Sequence, residues 1–457
     1  MSFLSWLKGA VTSLFDRSEM AAKFQITLPA EKDMDEAVKL WAECYRDTPP
    51  WIVSDTNIIS MDLPYAVAHE IARLVTLEFS SELTGSPRAE LLSEHYGEVI
   101  GKAAEWVEYA CALGGVFLKP YVTADGLCVD YVQADAAIAS EYTGAGKIVG
   151  CIFADRVTKG EKYYTRLEKH SLSGTNYTVV NKAYVSDNAA YIGREVSLEA
   201  VPEWSGIAPS ASFTGIRRPL FVYLGMPGAN RIDRRSPLGV SVFNAALGAI
   251  EEADKQYTRL AWEFEGSELA VYADVTAIQR GADGIEHAPK FNKRLIKTLD
   301  FNKDDAFNVF SPSIRAEAQI SGLNTQLRQV ERLCGLAFGT FSDVQDADKT
   351  ATEIKASKQR SYATVSAIQK KVEKALREYA EVLDILCDLH GLAPKGKLEQ
   401  SFEFDDSLVT DSETEQKIWL QEVGAGLMSG TEYRQRRYGE TEEQAAEKLP
   451  EAFGADA

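Results

Sequence analysis

The sequence is short of positive charge. Its 49 lysines and arginines face 68 aspartates and glutamates, a formal net charge of −19 over 457 residues. Proteins that hold nucleic acid by neutralising its phosphates are basic, so tight wrapping of DNA is excluded. Weak passage of DNA along an acidic wall is not excluded, because repulsion prevents trapping. The six cysteines are scattered, with no CxxC pair, which argues for reduced thiols in a cytosol-like compartment, most of them in the core. Cys387 and His390 stand three apart. No second Cys/His pair accompanies them, so ordinary packing is expected rather than a zinc site. No run of about 18 apolar residues occurs, so no transmembrane helix is expected.

Catalytic signatures are missing as well. There are five histidines, no GxSxG, no HExxH and no EF-hand spacing. His69-Glu70 lacks a second histidine. Thr143-Gly144-Ala145-Gly146-Lys147 resembles the end of a phosphate loop, but Glu141 and Ile148 stand where the signature wants Gly and Ser or Thr. It reads as a turn between strands. Asp343, Asp346 and Asp348 lack the glycine and closing glutamate of a calcium loop, so a solvated acidic loop is expected. Asp405-Asp406 reads as a solvated turn. No enzyme activity, metal or cofactor is expected.

What is present is a chain with room for two or three domains and a large core: 45% apolar and 26% charged residues describe a folded protein. It is organised around Cys334–Arg360, CGLAFGTFSDVQDADKTATEIKASKQR. A helix arriving from the left stops at a glycine turn. A short acidic loop follows, and a long helix leaves to the right. Asp348 or Thr350 can cap its start, and Thr350 with Glu353 makes a capping box. Val365, Ile368, Val372, Ala375, Leu376, Tyr379, Val382, Leu383 and Leu386 then form one 3–4 stripe. A helix from about Thr352 to Leu389 would be on the order of 55 Å long at ~1.5 Å per residue. The stripe reads first as ordinary core and second as a seam between subunits. Phe243–Phe264 reads the same way.

In chain order, Phe3, Leu4, Leu7, Val11, Leu14 and Phe15 make a helical stripe without the marks of a signal peptide. An amphipathic helix packed on its own or a neighbouring subunit is expected, with a membrane-surface helix as the alternative. Helices are expected over Glu31–Arg46, Leu63–Leu83 and Ala89–Leu113. The period then changes. Val116–Val122, Leu127–Val132, Lys147–Ala154, Lys162–His170, Tyr177–Val185 and Leu220–Tyr223 read as strands, with a hairpin turn at Ser173-Gly174-Thr175-Asn176 and a loop-rich Pro202–Arg218. Ser236-Pro237 reads as a helix start with proline in its first turn. A strand at Leu269–Asp274 opens a small α/β module running to Phe310, inserted before a helix over Ile314–Cys334. Phe402–Phe404 reads as a short strand, and Ser412–Val423 and Thr431–Tyr438 as short helices. The fold class is α+β.

This order of parts resembles the portal proteins of tailed bacteriophages, in the branch common in long-tailed phages of Gram-positive hosts. Four features carry the resemblance: Ser236-Pro237-Leu238-Gly239-Val240-Ser241; the small α/β insert closed by a helix; Phe338-Gly339-Thr340-Phe341 leading through the acidic loop to Thr350-Ala351-Thr352-Glu353-Ile354; and the Ser429-Gly430 break. The resemblance implies a portal fold: N-terminal helices and arm at 1–62, an α/β wing at 63–235, stem helices at 237–265 and 311–337, a clip at 266–310, a tunnel loop at 338–349, and a long helix with a small helical crown at 350–457. It also implies a homo-oligomeric ring, usually of about twelve subunits, at one capsid vertex, passing double-stranded DNA during packaging and ejection. Its partners would be the large terminase, the head–tail adaptor, and the major capsid and scaffolding proteins, with no membrane. Thr340, Phe341, Asp343, Gln345, Asp346, Asp348 and Lys349 would form the DNA-channel loop, the aspartates repelling DNA while Lys349 touches it transiently. The alternatives are a head–tail adaptor or other non-portal virion protein, a hydrolase with an unrecognised site, and a membrane-binding protein built on Phe3–Phe15.

Overall fold

A computed structural model describes residues 17–26, 32–52, 57–124, 126–267, 270–274, 296–299, 307–310, 315–343, 351–404, 419–438 and 440–449. The stripe Phe3–Phe15, the capping residues Asp348 and Thr350, Asp405-Asp406 and the start of the expected Ser412–Val423 helix lie outside the described residues.

The main core forms where helices meet a small sheet. Helices α1 (Arg17–Lys23), α2 (Lys32–Tyr45), α3 (Leu63–Thr76), α4 (Pro87–Gly101) and α5 (Ala103–Leu113) come first, with strand β1 (Phe79–Thr84) after α3. β2 (Gly115–Thr123) and β3 (Gly126–Gln133) follow. β4 (Ala137–Tyr142), β5 (Ile148–Lys159), β6 (Lys162–Ser173), β7 (Asn176–Ser186) and β8 (Arg194–Val196) form an antiparallel sheet in that order. β9 (Ser210–Thr214) pairs with the other half of β7. β10 (Val222–Gly225) pairs with β2, which pairs with β3. The first six residues of β2 are buried without alternation, the pattern of a strand covered on both faces. Phe117 of β2 meets Phe153 at 5.5 Å between ring centroids in an edge-on contact, and Phe221 at 6.0 Å, an arrangement favoured by the ring quadrupoles. Between the sheets, the Lys119 ammonium group lies 2.7 Å from Glu168 and 3.2 Å from Asp130.

Three expected helix boundaries are corrected. The helix expected to run to Leu83 stops at Thr76, and Phe79–Thr84 is a strand. Its partner is β14 (Glu399–Phe404), with Phe79 stacked on Phe404 at 4.8 Å. Phe79 and Leu83 fit helical spacing equally well, so a partner over 300 residues away decides the state. Ala89–Leu113 is two helices, broken at Lys102 (φ −100°, ψ 12°). The Trp106 indole donates to the Val99 carbonyl at 2.9 Å, satisfying a group at the end of α4. Pro237 does not start a helix. α6 (Leu247–Gly266) begins ten residues later, after a 3-10 turn at Asn244–Ala246. Residues 236–243 instead close the end of α5. The Gly239 amide donates to the Tyr223 hydroxyl at 2.9 Å, and Val242 N–H to the Cys111 carbonyl at 3.0 Å. A Cβ at Gly239 would stand 2.2 Å from the Gly114 carbonyl oxygen, so only glycine fits there. β4 and β9 are strands the pattern did not show.

α6 runs beside α7 (Ala316–Cys334), and the small sheet lies between them in sequence. Its strand β11 (Ala270–Asp274) is parallel to β12 (Ile296–Leu299) and antiparallel to β13 (Phe307–Phe310). α8 (Ala351–His390) is 40 residues long. From Val365 to Cys387 its stripe is buried in the main core of this same chain. Cys387 is buried and His390 exposed, so the two do not face one site. The C-terminal part holds helices at Gly430–Tyr438 and Glu442–Glu447.

Candidate functional site: the root of the acidic loop

α7 ends at Gly335 (φ +73°), and Leu336 N–H donates back to the Glu331 carbonyl at 2.8 Å. This is the reverse turn by which glycine ends a helix. A side chain at 335 would also put its Cβ 2.3 Å from Thr364 Oγ1 on α8. α8 supplies two further ties. Thr364 Oγ1 donates to the Gly335 carbonyl at 3.0 Å, and Ser361 Oγ accepts from Ala337 N–H at 2.7 Å.

The loop root is then wound around one carboxylate. Glu331 is 0% exposed. Its Oε1 accepts from Phe341 N–H at 2.7 Å and Ser342 N–H at 2.8 Å, and its Oε2 from Ser342 Oγ at 2.9 Å and Gly339 N–H at 3.3 Å. Three backbone amides and a hydroxyl thus meet a charge that water cannot reach, the condition under which a buried carboxylate is tolerated. The same face of α7 continues outward at i−3 and i−7. Arg328 donates to the Asp343 carbonyl at 3.4 Å. Asn324 accepts from Asp343 N–H at 3.1 Å and donates to its carboxylate at 3.2 Å. The Arg360 guanidinium lies 4.9 Å over the Phe338 ring. Cys334, just before the turn, has its thiol pushed up to about 12 by burial, which makes it unreactive.

Of the expected loop residues, Thr340, Phe341 and Asp343 are described. Thr340 Oγ1 donates to the Ala337 carbonyl at 2.6 Å, the Phe341 ring packs on the main core, and Asp343 is exposed. Thr340 and Phe341 therefore anchor the loop, and Asp343 is the first of the three to reach solvent. Gln345, Asp346, Asp348 and Lys349 lie outside the described residues. Sequence reasoning missed Glu331, Asn324 and Arg328. The available signal was position: Leu327, Val330, Glu331 and Cys334 share the buried face of α7, so an acid stood on an apolar stripe. Among the described residues no cluster of His, Cys, Asp and Glu could hold a metal. No described helix is long and apolar enough to cross a membrane.

Comparison with curated protein sequences finds no significant match. Among solved structures, the chain is similar to a "Neck of native GTA particle computed with C12 symmetry", at 13% identity and a TM-score of 0.41, covering 90% of this chain and 94% of that one. It is also similar to a "Neck of empty GTA particle computed with C6 symmetry", at 12% identity and a TM-score of 0.43, covering 91% and 97%. The family described as "Phage portal protein, SPP1 Gp6-like" matches residues 99–452, more than three quarters of the sequence, and the chain belongs to that family of phage portal proteins.

Proposed function

We propose that copies of this chain close into a ring, of twelve subunits, at one vertex of the capsid, and that the segment 339–349 faces the bore through which double-stranded DNA enters and leaves. The observation that carries the loop assignment is the anchoring at Glu331. A surface loop free to wander needs no buried charge with four donors, whereas a loop that must hold station beside a moving polymer does. Asp343, Asp346 and Asp348 keep phosphates from sticking, and Lys349 makes passing contact. Residues 63–235 form the wing, α6 and α7 the stem, 266–310 the clip, and α8 with the C-terminal helices leads into the crown. The clip meets the large terminase during packaging and the head–tail adaptor afterwards. The outer parts meet the major capsid and scaffolding proteins. The chain is a conduit and not an enzyme, and the packaging ATPase is a separate protein. The host branch we assign is the long-tailed phages of Gram-positive bacteria, on the order of motifs from Pro237 to Arg360.

The test is to shorten the loop by deleting residues 344–348 and follow assembly and packaging separately. Intact rings with impaired packaging or retention of DNA are expected. Normal packaging and retention with intact rings would remove the channel-loop role.

A further inference from the structure

Lysine and arginine are outnumbered in this chain, but not everywhere. Residues 360–377 of α8 carry Arg360, Lys370, Lys371, Lys374 and Arg377 against a single acid, Glu373. Ala363, Ala367, Lys370, Lys374, Arg377 and Glu381 recur at spacings of three and four, so they share one face of the helix. Two open grooves follow that face in succession. The first, of about 630 Å³, is bordered by Ala363, Ala367, Lys370, Lys371 and Lys374. The second, of about 610 Å³, is bordered by Arg377, Glu381 and Asp384 on α8, by Lys147 in the β4–β5 turn, and by Arg217 and Arg218 ahead of β10. The carboxylates along this stretch of α8 are all engaged. Glu373 pairs with Arg377 at 2.7 Å, Glu378 with Arg218 at 2.8 Å, Glu381 with the same guanidinium, and Asp384 with Arg88. Several cations are not. Lys147, Arg217, Lys370 and Lys371 are exposed and make no ion pair among the described residues. Lys374, with its side chain 72% exposed, reaches Glu378 only at 4.0 Å. A surface whose acids are neutralised from within and whose cations are free carries a positive potential, here in a chain of net charge −19.

We propose that this face of α8, with Lys147 and Arg217 beside it, binds the phosphodiester backbone of double-stranded DNA, as a contact surface separate from the loop at 339–349. The free cations are strung along the helix rather than gathered at one point, which suits a linear polyanion better than a single anion. From Ala363 to Asp384 the track is about 30 Å long at ~1.5 Å per residue, close to the ~34 Å of one duplex turn. The alanines at 363 and 367 keep the first groove open beside the lysines. The grip is weak, because the rest of the chain repels the same phosphates. Contact is therefore local, independent of base sequence and sensitive to salt. An acidic protein surface, including that of another copy, has the same charge; the choice of the duplex rests on the conduit reading above.

The experiment measures binding of a short mixed-sequence duplex to the full chain by fluorescence anisotropy over a salt series, with assembly read in parallel by native mass spectrometry. Lys370→Glu with Lys371→Glu should weaken binding at low salt by at least about tenfold, and so should Lys147→Glu with Arg217→Glu. Lys102→Glu with Lys162→Glu, exposed positions outside both grooves, changes the net charge equally and should weaken binding by less than about threefold. If a reversed pair fails to fold by circular dichroism, the neutral set Lys370→Gln, Lys371→Gln and Lys374→Gln is used. It should flatten the slope of log affinity against log salt by about 2–3. An equal loss in the control pair, or affinity and slope unchanged by the groove variants, overturns this surface. Lost assembly with duplex affinity per chain unchanged assigns the face to a contact between copies and overturns it too. Each of these results leaves the conduit reading in place so long as wild-type rings package DNA; wild-type rings that package none overturn both.

Discussion

The two ends of the α6–α7 hairpin are built differently. At one end, Phe243, Ile250, Ala253, Leu327, Val330 and Cys334 are buried in the main core, and residues 51, 59 and 61, ahead of α3, tie α6 down. The Trp51 indole and Met61 N–H each donate to Asp254 at 2.9 Å, and Ile59 N–H donates to Thr258 at 2.9 Å. Toward the small sheet, Trp262 is 69% exposed, Phe264 48% and Ile320 40%. There the two helices hold one another through polar contacts. Gln256 donates to the Gln319 carbonyl at 3.3 Å, and Arg315 pairs with Glu263 at 2.8 Å. One protomer thus stabilises the near end by itself. The far end leaves large apolar side chains exposed to solvent, the kind of surface that marks an interaction site.

The largest effect expected from this contrast is at the near end. Phe243→Ala should cost about 3–5 kcal/mol of protomer stability in denaturant unfolding, since the ring is fully buried and leaves a cavity. Next comes the loop root. Glu331→Ala strands three amides and a hydroxyl, and should cost about 1–3 kcal/mol while speeding proteolytic cleavage at 338–343. Glu331→Gln, which keeps the acceptor oxygen, should cost less.

A smaller effect of opposite sign is expected just ahead of α3. Burial, then Asp47 and Asp254, push Asp62 up to about 6. The folded state therefore holds this proton more tightly than the unfolded chain, so stability falls as pH rises from about 4 through 6. Asp62→Asn should remove that loss, stabilising by no more than about 1 kcal/mol above pH 6 because the site is partly solvated, and changing little at pH 4. Asparagine is also suited to the backbone there, at φ +51°. Smallest of all, Trp262→Ala should leave protomer stability within about 0.5 kcal/mol. A loss there as large as that of Phe243→Ala would dissolve the contrast between the two ends.

Much of this is legible in the sequence because the periodicity is local. The stripe Val365–Leu386, the antiparallel pattern from Val116 to Val185 and the glycine stop at 335 each follow from spacing and backbone preference within a few residues. The misjudged parts depend on distant partners. Phe79–Thr84 becomes a strand because Glu399–Phe404 is there to pair with it. The break at Lys102 follows from an indole reaching back to Val99. Pro237 is diverted from a helix by the Gly114 carbonyl and the Tyr223 hydroxyl. At the candidate site the loop's position and its exposed Asp343 were readable. Its anchor was not, because a single glutamate on an apolar helical face looks like an imperfection of pattern until the amides that meet it are placed.

Where residues 339–343 lie when copies assemble decides whether they line a channel. Electron cryomicroscopy of the assembled particle should show a closed ring with these residues lining its central opening, held there by Glu331. Residues 339–343 at the outer periphery, or particles without a central opening, would contradict it.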